Sequence, residues 1–128
     1  MNNNKYEILD EKIEINWKIL YRIKAKRDFW IVKKWDIWGY IEKGKNLSIT
    51  WSAWIFDNAC VYWEARVSWY AWICWNAQIY WNAQIYWEAW ICWNAKIYWN
   101  AKIYENVRIY WNAKVYLDNS TSWDTCIF

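Results

Sequence analysis

The sequence predicts an all-β protein in which a β-hairpin precedes a parallel β-helix built from repeats of six residues. Three observations carry this prediction. Residues 51–128 repeat every six positions without an insertion; a branched aliphatic residue recurs in 12 of the 13 repeats, with a small residue four positions later; and the preceding segment alternates apolar and polar residues around Asn16 and Trp17. Because a period of six matches neither an α-helical turn nor a plain strand alternation, short strands separated by turns remain.

The first element, residues 1–35, is predicted to be a hairpin that caps the repeats. Lys12–Ile15 and Lys18–Lys24 alternate apolar and polar residues, as strands with one exposed face do. A two-residue hairpin turn is most often Asn-Gly. Asn16 and Trp17 occupy that place, so a tryptophan stands where the turn favours glycine.

The same segment carries most of the positive charge. Residues 1–50 hold 11 Lys and Arg against 7 Asp and Glu, whereas residues 51–128 hold 5 against 6. We interpret the basic residues from Lys18 to Lys34 as the solvent-facing side of the hairpin, with contact to phosphate or to an acidic partner as the alternative. No aromatic RNA-binding pattern accompanies them, and nucleic acid is therefore not an expected partner.

Residues 36–50 are predicted to form irregular first turns of the β-helix, and residues 51–128 its regular part of 13 hexads. Three hexads make an 18-residue triangular coil, so each inward side chain stacks on its counterpart in the next coil, about 4.8 Å away. The aliphatic position holds Ile55, Val61, Val67, Ile73, Ile79, Ile85, Ile91, Ile97, Ile103, Ile109, Val115, Thr121 and Ile127. The small position holds Ala53, Ala59, Ala65, Ala71, Ala77, Ala83, Ala89, Ala95, Ala101, Val107, Ala113, Asn119 and Thr125.

Residues 51–128 resemble the hexapeptide-repeat family, in which an aliphatic residue is followed four positions later by Ala, Ser, Thr or Val. The resemblance implies a left-handed parallel β-helix. The whole chain also resembles prophage-associated proteins described as polymer-forming or cytoskeletal, through Leu20–Lys24, Tyr40–Lys43 and Asn46–Ser48 and on to Tyr62. That second resemblance implies a scaffold role.

The sequence departs from the hexapeptide pattern two positions after each aliphatic residue, which we call the corner slot. This slot holds Trp in 10 of 13 hexads, where repeats of the type Ile-Tyr-Gly-Asn-Ala-Lys carry glycine. A coil corner favours positive φ, which glycine adopts easily and a bulky side chain does not. We therefore predict that these codons are UGA, decoded as glycine under an alternative genetic code and rendered here as Trp. A UGG codon at positions 75, 81 and 99 would refute this.

Trp54, Trp72 and Trp90 occupy a different slot, the long-side-chain position before the aliphatic residue, and we expect them to be genuine tryptophans. Successive members are separated by three hexads, which predicts one stacked column. Arg108 and Cys126 continue the same column. A protein truly this rich in Trp is the alternative to recoding.

The residue types present argue against the chemistry for which such helices are best known. The hexapeptide proteins that this chain resembles include acyltransferases and zinc carbonic anhydrases, which use histidine as a base or as a metal ligand, and this chain has no histidine. Glu64, Glu88 and Glu105 are scattered over the corners and are interpreted as solvated charges. We therefore expect no enzyme activity, no catalytic residue, no cofactor and no metal.

The cysteines give a second expectation about chemistry. Cys74 and Cys92 are separated by three hexads, so they are predicted to be neighbours on successive coils. Side chains of one column point the same way, and disulfide geometry is demanding. We expect free thiols, with a redox bridge as the alternative.

The most plausible binding surface is an outer column of tyrosines, at Tyr62, Tyr80, Tyr98 and Tyr116. Evenly spaced rings on a flat face can stack on a sugar or on another protein. The alternative is that the rings only cover the coil edge, since any regular repeat produces such columns.

The sequence thus favours a non-catalytic structural solenoid that self-associates or forms part of a phage-derived particle. The expectation of self-association is based on the segment Thr125–Phe128, which completes a hexad without a polar cap and would leave a strand edge open. A carbohydrate- or protein-binding module and an inactive acyltransferase relic are the alternatives. The polar start and the lack of an 18-residue apolar run predict no membrane association and a cytoplasmic or virion-associated protein.

Overall fold

The computed structural model of the protein describes residues 3–104, 106–116, 120–121 and 126–127. These residues form strands and one short 3-10 helix, Gly44–Asn46, and contain no α-helix. The longer strands are β1 (Tyr6–Ile15), β2 (Lys18–Ala25) and β3 (Ile37–Ile41). Two-residue strands follow at six-residue intervals: β4 (Trp54–Ile55), β5 (Cys60–Val61), β6 (Arg66–Val67), β7 (Trp72–Ile73), β8 (Gln78–Ile79), β9 (Gln84–Ile85), β10 (Trp90–Ile91), β11 (Lys96–Ile97), β12 (Lys102–Ile103), β13 (Arg108–Ile109), β14 (Lys114–Val115), β15 (Ser120–Thr121) and β16 (Cys126–Ile127).

The short strands stack into three parallel sheets, which are the three sides of a tube. One side runs β3-β5-β8-β11-β14, the second β6-β9-β12-β15 and the third β4-β7-β10-β13-β16. From β4 onward, paired residues lie three hexads apart, as in Ile73 with Ile91 and Ile79 with Ile97. The predicted parallel β-helix with three hexads per coil is therefore confirmed.

The tube is filled by the two residues per hexad that the repeat predicts to point inward. The aliphatic residues from Ile55 to Val115 and the small residues from Ala53 to Ala113 are all buried in one core. Successive coils are joined by backbone hydrogen bonds from alternate residues, such as Trp72 N–H to Ala89 C=O at 2.8 Å and Cys74 N–H to Ile91 C=O at 2.9 Å. Every coil thus buries apolar surface and satisfies the backbone of its neighbours.

The first coil is more regular than the sequence indicates. Ile41 pairs with Val61, and Leu47 bridges Val67, so hexad spacing already begins at Ile41. In both pairs, the two residues are separated by three hexads plus two residues, because a two-residue insertion lies between Leu47 and Ile55. Because of this insertion, residues 36–50 are out of phase with the strict six-residue period of the later hexads.

The predicted hairpin is also confirmed, and it covers the first coil. Strands β1 and β2 pair antiparallel, and β2 pairs antiparallel with β3, so the hairpin extends the first side of the tube. Tyr6, Ile23, Phe29 and Val32 are buried in the same core as the repeat aliphatics. The Tyr6 hydroxyl donates to the carbonyls of Gly44 and Leu47 at 3.0 and 2.8 Å, which fixes the hairpin to the 3-10 turn.

The corner slots adopt the conformation that the sequence predicts for them. Every described Trp in the corner slot has a φ between 57° and 68°, and Asp57 in the same slot has a φ of 54°. These tryptophans are Trp51, Trp63, Trp69, Trp75, Trp81, Trp87, Trp93, Trp99 and Trp111. Trp123, Glu105 and Leu117 occupy corner slots outside the described residues. The positive-φ requirement is confirmed, and decoding of these codons as glycine stays a prediction.

The backbone divides the tryptophans into two groups. Trp17, Trp30 and Trp35 join the corner tryptophans with φ values of 70°, 52° and 81°. Trp38, Trp54, Trp72 and Trp90 are not among the positive-φ residues, and Trp54, Trp72 and Trp90 begin strands β4, β7 and β10. Only the first group lies where glycine is the favoured residue.

Replacing Trp17 by glycine is expected to stabilise the protein by about 1 kcal/mol, because an L-residue at positive φ costs about 1–2 kcal/mol. Asn16 and Trp17 both have positive φ, as a type I′ turn requires, and the Trp17 ring is 96% exposed, so its removal sacrifices little packing. Urea unfolding measures the change. Trp17→Ala is the control, because it removes the ring and keeps the Cβ; equal stability of the two variants would contradict the prediction.

Candidate functional site

The predicted tyrosine column exists, but its rings face one another. Tyr62, Tyr80, Tyr98 and Tyr116 stack in series with centroids 5.2 to 5.4 Å apart and planes within 12° of parallel. Both faces of Tyr80 and of Tyr98 are therefore occupied by neighbouring rings, one face of Tyr116 is covered by Tyr98, and the column presents mainly ring edges. A sugar stacks on a ring face, so this arrangement offers it less than the sequence suggests.

Tyr62 is withdrawn from that surface altogether. It is fully buried with Leu20, Tyr40 and Cys60 under the hairpin, and its hydroxyl accepts a bond from the Asn16 amide at 2.7 Å. Burial raises the pKa of the Tyr62 hydroxyl to about 12. The expected column is thereby reduced to Tyr80, Tyr98 and Tyr116 as an accessible surface.

A second aromatic column lies on the third side of the tube, at the tryptophans predicted to be genuine. The Trp72 and Trp90 rings stack at 4.6 Å, and the Arg108 guanidinium lies 4.3 Å from the centre of the Trp90 ring. Trp54, the first residue of the predicted column, is instead fully buried, and its ring contacts Tyr6 and Phe29 in T-shaped arrangements. The side chain of Cys126, the predicted next member, lies outside the described part of the chain.

An open cleft of about 500 Å³ runs beside this column. It is lined by Trp30, Ser52, Tyr70, Glu88, Trp90 and Arg108. Trp30 comes from the cap segment, and its ring centre lies 3.8 Å from that of Trp72. The cleft combines aromatic rings with both signs of charge, and its volume is typical of small-molecule sites.

Sequence reasoning missed this cleft, although part of it was visible as spacing. Ser52, Tyr70 and Glu88 follow one another at intervals of three hexads, so they form a column beside the tryptophan column. The two neighbouring columns could have been recognised as one surface. Trp30 lies outside the repeat, and no periodicity places it there.

The expectation of free thiols at Cys74 and Cys92 is wrong, because the two residues form a disulfide. The spacing argument placed them correctly on successive coils. Their Cα atoms are 4.6 Å apart, within the range of disulfides, so the parallel stacking that seemed to disfavour a bond supplies the required approach. The bond joins the coils that carry Trp72 and Trp90. Cys60 is a buried free thiol, and burial raises its pKa to about 12.

The basic stretch of the hairpin is largely occupied within the protein. Lys18 pairs with Glu42 at 3.2 Å, and Lys24 pairs with Glu7 at 3.9 Å. Arg22 donates to the Asp57 carbonyl and the Asn58 amide oxygen at 2.7 and 2.9 Å. The Arg22 contacts attach the hairpin to the first regular coil, and all of these contacts favour the structural interpretation of the charges.

The corner carboxylate of Glu64 is held by two lysines of the opening coil. Its oxygens accept from Lys43 at 2.8 Å and from Lys45. These hydrogen bonds lower the pKa of Glu64 to about 2. In the described part of the chain, no three His, Cys, Asp or Glu side chains are grouped as metal ligands. None of the described residues form a helix long and apolar enough to cross a membrane.

Lys5, which the sequence did not single out, is fully buried beneath the cap. Its ammonium donates to the carbonyls of Ser48 and Thr50 at 2.9 and 3.4 Å and lies 5.3 Å from the centre of the Phe29 ring. Burial, followed by the charge of Arg27, lowers the pKa of Lys5 to about 7. The residue therefore anchors the cap segment and titrates near neutral pH.

The stability of the protein is expected to rise with pH between about 7 and 9 because of Lys5. In this interval unfolding takes up a proton, since the unfolded lysine has a pKa near 10.5, and the slope approaches about 1.4 kcal/mol per pH unit. Burial raises the pKa of Tyr6 to about 12, so the neighbouring phenol titrates above this interval.

Urea unfolding of the wild type and of Lys5→Met at pH 7 and pH 9 isolates this contribution. The other groups titrate alike in both proteins, so the wild type should gain about 2 kcal/mol more than the variant on raising the pH. An identical pH dependence in the two proteins would show that Lys5 does not titrate in this range.

Neither the family models nor the curated proteins with which the chain was compared contain a match to it.

Proposed function

We propose that the protein is a structural β-solenoid that self-associates through the strand edge at the end of the described coils, opposite the hairpin. The observation that carries the proposal is the difference between the two ends of the tube. At the hairpin end, β3 pairs with β2, Leu47 bridges Val67 of β6, and both residues of β4 are fully buried. At the other end, strands β14, β15 and β16 each have one pairing neighbour in the described part of the chain. Unpaired strand edges are templates for pairing with another chain.

The backbone of β14 indicates how such pairing would occur. Lys96 and Tyr98 donate to the carbonyls of Ala113 and Val115 at 2.9 and 3.0 Å. By the same spacing, the N–H groups of Lys114 and Tyr116 are directed toward a further coil. A strand from a second copy is well suited to accept them.

The covered end restricts the form of the assembly. Because the hairpin occupies the first coil, copies are not free to stack head to tail into a filament. Two copies pairing through their last coils form a closed dimer with a two-fold axis. A different protein within a larger, phage-derived particle would use the same edge, and this is the alternative partner.

Sedimentation velocity over a wide concentration range tests the proposal. We expect a dimer that Lys114→Pro converts to a monomer, because proline removes the edge donor and no bond within the described coils depends on that N–H. Lys114→Ala loses the same side chain, keeps the donor and should remain dimeric. A monomer at every concentration, or equal dimerisation of both variants, would reject the proposal.

The same measurement is required on a chain with glycine at the positive-φ tryptophans. Six of the nine described corner rings are about half exposed, as in Trp75 at 50% and Trp111 at 52%, and exposed apolar rings promote association by themselves. Dimerisation that disappears with these rings would come from the corners and would contradict pairing at the strand edge.

A further inference from the structure

We infer that the cleft on the third side of the tube, beside Trp90, binds a saccharide that carries a carboxylate. This inference is independent of the proposed assembly, because its residues lie along a side of the tube rather than at its last coil. It concerns a different surface from the tyrosine column.

The basic end of the cleft lacks a partner. Arg108 stacks on Trp90, and its Nη1 is shielded from solvent and has no hydrogen-bond partner among the described residues. The Arg108 guanidinium lines the cleft, and a planar carboxylate is the acceptor that a guanidinium group matches best. The arrangement therefore selects an anionic group on the ligand.

The walls of the cleft offer open ring faces. Tyr70 is 42% exposed, its neighbours in the column carry no ring, and Trp51 contacts it in a T-shaped arrangement rather than by stacking. Trp30 lies on Trp72 with one face and is 52% exposed. If position 30 is glycine in the natural protein, the corresponding face of Trp72 is uncovered instead, so an open ring face remains in either case.

The polar groups favour a saccharide over a peptide. On this side of the tube, backbone groups already form hydrogen bonds between successive coils, as in Trp54 N–H to Ala71 C=O at 3.2 Å and Trp90 N–H to Val107 C=O at 2.8 Å. A peptide would find no strand edge to pair with here. Hydroxyl groups of a sugar, in contrast, can donate to the exposed Glu88 carboxylate and accept from the Ser52 hydroxyl.

Isothermal titration calorimetry with trigalacturonate and with a hyaluronan tetrasaccharide tests the inference. We expect binding of at least one, and at least about tenfold weaker binding of the same oligosaccharide after methyl esterification, because the charged hydrogen bond to Arg108 is lost. Absence of binding by both probes would overturn the inference. Equal binding of a penta-glutamate peptide would assign the cleft to acidic peptides and overturn it as well.

Matched variants locate the site. Arg108→Gln should weaken binding at least about tenfold, whereas Lys102→Gln, the same loss of charge on another side of the tube, should not. Arg108→Lys keeps a positive charge and a long stem, so weaker binding in this folded variant would separate ligand recognition from packing on Trp90.

The aromatic contribution has an equally close control. Tyr70→Ala should weaken binding about three- to tenfold, whereas Tyr116→Ala removes a tyrosine of the same 42% exposure from the tyrosine column and should have no effect. The opposite result, with Tyr116 required and Tyr70 dispensable, would place the saccharide on the tyrosine column and overturn the inference.

Discussion

Gly39→Ala is expected to destabilise the protein by about 3 kcal/mol or more, because backbone strain and overpacking each cost about 1–3 kcal/mol. Gly39 lies in β3 with a φ of +28°, and an added Cβ would lie 2.4 Å from the carbonyl oxygen of Ile55 and 2.5 Å from its Cγ2. Ile55 is fully buried in the core beneath the cap, so neither atom has space to move. A loss of this size is a large part of the stability of a small domain.

The only other glycine in the chain provides the control. A Cβ at Gly44 meets no atom within 4 Å, so Gly44→Ala should change the free energy of unfolding by less than about 0.5 kcal/mol. Denaturant unfolding of both variants gives the comparison. If Gly39→Ala were as stable as Gly44→Ala, the close approach of β3 to Ile55 would be incorrect.

The two glycines show why the repeat was easier to predict than the cap. In the repeat, each position occurs many times, so the sequence averages over coils and identifies the inward aliphatics and the positive-φ corners. Gly39 acts once, through a close approach to Ile55 in the strand that follows the two-residue insertion. A unique contact between distant residues leaves no periodic trace.

The same distinction explains the surface predictions. Three-hexad spacing treats Tyr62 and Tyr80 as equivalent, and it correctly gives their stacking. It does not include the hairpin, which buries Tyr62 and leaves Tyr80 half-buried at its margin. Trp30 likewise completes the cleft from outside the repeat. Spacing also placed Cys74 beside Cys92 on successive coils, but the common direction of the two side chains was wrongly taken to prevent a bond.

The second large effect is expected at Asn46, whose amide replaces backbone pairing where the first coil turns. Asn46 is fully buried, and its Oδ1 accepts from the N–H groups of Glu42 and Lys43 at 3.1 and 2.9 Å. Its Nδ2 donates to the carbonyls of Trp63 and Ala65 at 3.1 and 2.8 Å. One side chain thus connects the opening coil to the next through four backbone groups.

Asn46→Ala should therefore cost about 3 kcal/mol or more, because each buried group left without a partner costs about 1–3 kcal/mol. Asn82→Ala is the control. Asn82 is exposed and its amide donates to Asn100 at 3.3 Å in a solvent-facing ladder, so the loss should stay below about 1 kcal/mol. Comparable losses in urea unfolding of the two variants would contradict the role assigned to Asn46.

Asn46→Asp separates the donor from the acceptor half of this network. The carboxylate still accepts from Glu42 and Lys43, but it places a negative oxygen against the carbonyls of Trp63 and Ala65. Burial and this repulsion raise its folded-state pKa, so the folded state retains a proton that the unfolded state releases above about pH 4. Stability of the variant should therefore increase relative to wild type as the pH falls toward 4, because the protonated acid can donate to one carbonyl. If the difference in unfolding free energy between the two proteins were constant from pH 7 to pH 4, the hydrogen bonds donated by Nδ2 would contribute little. The stabilisation by Asn46 would then come from the bonds that Oδ1 accepts.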